Sequence, residues 1–285
     1  MLSFNPKYPV IFQDVQRLEI SILPSTFHSF LQLYQSCEYE QDINFISSLI
    51  LEDPFLSLKI LIKISKRRRT HLNFDIETIS KGLMLLGMKE VFDMVLHSSV
   101  CLQEEGLLIA IKRAQYAARI GKEFATSRHY VLPEEIQLAC LLSDLGELLL
   151  WQFTPSIPSS VRNSILSNKF QRNRIAQMSL YGFVFKDLTS YLCKVFELPH
   201  DVVDLIEGGF NDRAKLTKTC VEISREIYGI NGHLSIAPHI IDIQRNLQNF
   251  NTFEIIKPLQ LSKHFNHAQL QHIAFILKIN VEKIT

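Results

Sequence analysis

No CxxC pair occurs in this sequence, and its five cysteines, Cys37, Cys101, Cys140, Cys193 and Cys220, are odd in number and far apart. That spacing offers neither a zinc site nor a redox dithiol, and the mostly apolar neighbours read as reduced thiols in a cytosolic core. An excess of charge of either sign is missing too: 30 Lys and Arg against 29 Asp and Glu leave a formal net charge of +1. With no global field to draw in nucleic acid, any electrostatic partner must act through a local patch. The opening MLSFNPKYPV has no apolar signal core, and the most hydrophobic runs are interrupted by Lys59 and Lys63 or by Asp144 and Glu147. Neither export nor membrane insertion is expected, and the cytoplasm is the expected location. There is also no internal repeat, no long polar linker and no convincing run of alternating apolar and polar residues.

What is present is helical. Hydrophobic residues make up 47% of the chain and charged residues 21%, as in an ordinary globular protein. Apolar side chains recur at three- and four-residue spacing, which predicts an all-α fold of two packed helical lobes. In LILEDPFLSLKILIKI, Asp53 suits a helix N-cap and Pro54 the first turn, so one helix ends near Leu51 and the next starts at Pro54. Gly87 suits a left-handed helix end, followed by a helix that buries Val91, Phe92, Val95 and Leu96. Pro133 opens a helix with Glu134 and Glu135 in its first turn, and that helix runs into LLSDLGELLL, residues 141–150. Gly146 within it marks a kink or a close helix crossing. Further helices are expected at 107–126, 173–181, 186–197, 199–207, 212–228, 238–249 and 265–278, with TPSIPSS, residues 154–160, as a loop.

The ordered runs LPSTFHSFLQLYQ, ISSLILEDPFLSLKILIKIS and ISKGLMLLGMKEVFDMVL, then RAQYAARIGKEFA, LACLLSDLGELLL and SLYGFVFKDLTSYLCKVFELPHDVVDLI, resemble the HDOD domain from about Leu23 to about Gly229. The resemblance divides the chain into an N-terminal segment, 1–22, a helical HDOD-like domain, 23–229, and a helical C-terminal extension packed on it, 230–285. HDOD domains resemble the metal-dependent HD and HD-GYP phosphohydrolases and are regarded as regulatory relatives without catalysis. An HD site needs imidazoles and carboxylates converging on a metal that acidifies water and polarises a phosphate. The resemblance places Ser143 and Asp144 at the His-Asp step, Arg113 at the first histidine and Phe185 at a further one. It also places Glu207 and Gly208 at the His-His step, and Val221 or Glu222 at the late aspartate. Only Asp144 remains a ligand, and a guanidinium stays protonated and cannot bind metal. No catalytic residue, metal or cofactor is therefore expected.

The expected function is a non-catalytic regulatory module acting through a protein partner or a small ligand such as a nucleotide, with Arg113 and Asp144 as the candidate contact residues. Arg113 either neutralises Asp144 in a buried ion pair or points into solvent while Asp144 bonds a helix end. A residual metal-dependent phosphohydrolase acting on a nucleotide or cyclic dinucleotide is the alternative. Nucleic-acid binding through residues 63–71 is a third reading: KISKRRRTH holds the candidate anion patch Lys66, Arg67, Arg68 and Arg69, although cations at a helix end also simply complement its dipole. His264, His267 and His272 read as incidental residues of a surface helix, since no carboxylate or cysteine accompanies them.

Overall fold

Short polar residues, prolines and glycines set where each helix of this chain starts and stops. The computed structural model describes residues 7–14, 18–36, 42–68, 78–102, 104–126, 132–209 and 211–228. Among them lie thirteen α-helices and a 3-10 turn at Val10–Gln13, with no β-structure beyond one parallel bridge between Ile22 and Val100. The all-α expectation holds. The helices expected at 238–249 and 265–278, the extension at 230–285 and the three histidines lie outside the described residues.

The chain forms two compact units, residues 1–111 with 142–203 (unit 1) and residues 112–141 with 204–285 (unit 2). Unit 1 holds α1 (Pro24–Gln35), α2 (Ile43–Ile50), α3 (Pro54–Arg68), α4 (Ile79–Leu86) and α5 (Met88–Leu96). It also holds α8 (Leu145–Phe153), α9 (Ser156–Leu166), α10 (Asn173–Tyr181) and α11 (Phe185–Val195). Two further helices are shared with unit 2: α6 (Glu105–Thr126) crosses from one unit into the other, and α12 (His200–Glu207) does so again. Unit 2 adds α13 (Asp212–Ile227) and α7 (Pro133–Leu142), of which only the last residue belongs to unit 1.

In unit 1, Asp53 caps α3 as expected, its Oδ1 accepting from the N–H groups of Phe55 (2.9 Å) and Leu56 (3.1 Å). The other oxygen accepts from Leu23 N–H (2.8 Å) and so fixes the start of α1. Beyond Asp53, α3 runs through the core, with Phe55, Leu56, Leu58, Ile60 and Leu61 fully buried. Gly87 joins α4 to α5 at φ 82° and ψ 147°. This is not the left-handed helical conformation expected, but an extended positive-φ one that glycine alone adopts readily.

A loop over 154–160 is a correction: α9 starts at Ser156 with Pro158 in its first turn. A proline there costs no hydrogen bond, because first-turn N–H groups have no partner within the helix. Residues 7–14 also pack on unit 1. The Tyr8 ring lies 5.5 Å from that of Phe183 and 4.9 Å from that of Tyr191, and Phe12 is fully buried beside Phe153.

Unit 2 is tied by polar contacts that local sequence does not announce. Glu135, buried in the first turn of α7, pairs with Arg213 of α13. The Cys140 thiol faces the Thr217 carbonyl at 3.8 Å, and Ser224 Oγ donates to the Arg113 carbonyl at 2.6 Å. Burial and the neighbouring Cys140 push the Cys220 thiol well above its usual range. Cys101, Cys140, Cys193 and Cys220 are all buried and none is in a disulfide, and Cys37 lies outside the described residues.

Candidate functional site

The helix expected through LLSDLGELLL is broken. α7 stops at Leu142 and α8 begins at Leu145, with a bend of 45° between them. Ser143 and Asp144 occupy the break, because short polar side chains compete with the helical backbone for hydrogen bonds. Asp144 sits at φ −106° and ψ 26° with its carbonyl accepting from Leu148 N–H, and its side chain does not cap α8. The kink thus falls two residues before Gly146, and Gly146 makes the close crossing instead.

Within unit 1 that crossing carries Asp144 toward α11. The Gly146 N–H donates to Thr189 Oγ1 at 2.9 Å, and a methyl group on Gly146 would lie 2.5 Å from the Phe185 carbonyl oxygen. Phe185 is the first residue of α11, buried beside Phe183, with its own N–H donating to Gln177 Oε1 at 3.0 Å. The two positions in unit 1 that the resemblance assigns to HD ligands are a carboxylate, Asp144, just before α8 and a phenyl ring, Phe185, at the start of α11. The remaining positions belong to unit 2. Arg113 is half-buried on α6, Glu207 is exposed at the end of α12, and Val221 is buried on α13, where Glu222 pairs with Lys218 at 3.9 Å. No group of three His, Cys, Asp or Glu able to hold a metal ion occurs among the described residues.

A second feature of unit 1 lies on α3. Its one polar stripe is Lys59, Lys63 and Lys66, which repeat at i, i+4 and i+7 and so share a face. All three line a cavity of about 290 Å³. Ile62, Met94, Val195 and Phe196 give it an apolar wall, and Glu19 and Glu197 stand among the lysines. Lys59 Nζ donates to the Ile20 carbonyl (3.0 Å) and to Ser98 Oγ (2.6 Å). Burial pulls its pKa below the usual lysine value, against the opposing pull of Glu19 and Asp53. Glu197 adopts φ 54°, left-handed and unusual for a side chain with a Cβ, and its carbonyl accepts from Ser65 Oγ at 2.7 Å.

Two of the described cations in the cluster at residues 63–71 are engaged within the fold. Lys63 pairs with Glu90 at 3.0 Å, and Arg67 pairs with the same carboxylate while donating to the Leu85 carbonyl at 2.9 Å. Lys66 is exposed; the Arg68 side chain and Arg69 lie outside the described residues.

A family model for the HDOD domain matches residues 20–208. The chain belongs to the HDOD family. Among solved structures, the MmoQ response regulator from Methylococcus capsulatus str. Bath is 17% identical, with a TM-score of 0.64 over 85% of this chain and 98% of that one. A virulence factor from Campylobacter jejuni subsp. jejuni is 15% identical, with a TM-score of 0.68 over 90% and 99%. At such identities the likeness is one of fold. No curated protein matches the sequence. In this HDOD chain the lysine-lined cavity was missed from sequence. Its signal was the seven-residue stripe of cations on a helix otherwise made for the core.

Proposed function

We propose that this HDOD chain is a non-catalytic regulatory module that works by binding a protein partner or a small ligand. The observation that carries the proposal is the α8–α11 crossing, where an HD enzyme needs several ligands and this chain has Asp144 just before α8 and a buried Phe185 at the start of α11. One carboxylate without converging imidazoles neither holds a catalytic metal nor acidifies its water. Four buried cysteines outside any disulfide suit a reducing cytoplasm. Among the described residues no single helix is long and apolar enough to cross a membrane. Arg113, at a vacated ligand position, and Asp144, at the retained one, are the first residues to vary in a search for the partner.

The test is metal content. Tag-free protein is equilibrated in turn with manganese, iron, zinc and magnesium, desalted and assayed by elemental analysis. The expected result is no retained metal. Near-stoichiometric metal that is lost in Asp144→Ala would overturn the proposal in favour of a phosphohydrolase acting on a nucleotide.

A further inference from the structure

We infer that the lysine-lined cavity of unit 1 binds a small amphipathic monoanion, an alkyl or aryl carboxylate whose head group sits on Lys59. This site is separate from the Asp144 region and does not depend on the regulatory reading. Three observations carry it. The first is size: about 290 Å³ suits a small molecule and is at the low end of ligand pockets. The second is the wall, in which Ile62, Met94, Val195 and Phe196 give an apolar tail somewhere dry to lie.

The third is the head-group chemistry. An ammonium has three donors, and Lys59 commits two of them, to Ile20 and Ser98, which leaves one for an incoming oxygen. Those two bonds also hold the ammonium in place, so little side-chain freedom is lost on binding. The charge around it sets the ligand's valence. Lys59, Lys63 and Lys66 share the lining with Glu19 and Glu197, and Lys63 and Arg67 both pair with Glu90, so four cations stand against three carboxylates and the one in excess favours a single negative charge over a polyphosphate. At the rim, Glu197 is held in its left-handed conformation with its carbonyl anchored by Ser65, the kind of stored strain that clusters at ligand clamps.

Calorimetric titration of the whole protein with octanoate, octanol and octylamine separates the possibilities, since the three share a tail and differ in charge. Octanoate is expected to bind at a single saturable site, at least about tenfold more tightly than octanol, the worth of one charge-assisted hydrogen bond. Val195→Trp, which fills the cavity, is expected to abolish binding, and Lys59→Met to bring octanoate down to the level of octanol. If Lys59→Met does not fold, the head-group comparison on the unaltered protein decides alone. Equal binding of octanoate and octanol, or octanoate binding undiminished in Val195→Trp, would overturn the inference. Saturable binding of none of the three would overturn it as well and leave a partner's side chain as the occupant.

Discussion

The Asp53 carboxylate is fully buried and accepts three backbone N–H groups, one at the start of α1 and two at the start of α3. Asp53→Ala would orphan all three donors and is expected to cost about 2 kcal/mol or more in urea unfolding. Burial nevertheless holds this carboxyl above its ordinary 3.8. The folded chain therefore keeps the Asp53 proton more tightly than the unfolded chain does. Its contribution to stability is largest below 3.8 and is eroded as pH rises through the folded-state value. Asp53→Asn has no titrating group there. The stability gap between the natural protein and Asp53→Asn should thus narrow as pH rises above 3.8, and a constant gap would contradict this account. The cap itself was legible in the sequence because a cap is local, an aspartate followed by proline. The second oxygen's bond to Leu23 was not, since nothing near residue 53 announces a partner at residue 23.

Among the helices, two glycines show how the same change acts through different causes. At Gly146 the backbone of α11 is in the way: an added methyl meets the Phe185 oxygen at 2.5 Å and the Thr189 nitrogen at 2.9 Å. Rigid backbone cannot step aside, so Gly146→Ala should destabilise by about 3 kcal/mol, read as a drop in melting temperature. At Gly87 there is open space around the position and the obstacle is φ 82°. Gly87→Ala should cost about 1 to 2 kcal/mol from conformation alone. Both glycines could be singled out by pattern, but only contact with α11 explains why the first matters. The missed helix α9 makes the complementary point. Two prolines looked like a loop because their place relative to the helix start, which decides whether a proline is tolerated, is set by the fold.

At the level of the molecule, helical periodicity reads one element at a time, whereas the two units are assembled from segments far apart in the chain. Their boundaries fall within helices: at 111/112 inside α6, at 141/142 inside α7 and at 203/204 inside α12. The family match ends at residue 208, before α13. Yet α13 supplies Arg213 to the buried Glu135, a carbonyl to Cys140 and Ser224 to the Arg113 backbone. A chain cut after residue 208 keeps the whole matched region. It should nonetheless lose cooperative thermal unfolding by circular dichroism, because removing one partner strands a buried charge. Unaltered melting of that fragment would show that unit 2 does not need α13.

The packing of residues 7–14 bears on the order in which the molecule can be made. Lys7 reaches Asp187 at 3.1 Å, and Tyr8 reaches Phe183 and Tyr191. These partners leave the ribosome long after Tyr8 does, at about 5–20 residues per second. During synthesis two aromatic side chains bound for the core, Tyr8 and Phe12, must wait in the open for α8, α10 and α11 to follow. Closing so long a loop is also a slow step for a chain whose helices form in microseconds. The first residues of unit 1 thus find their partners only when nearly the whole of that unit has been made.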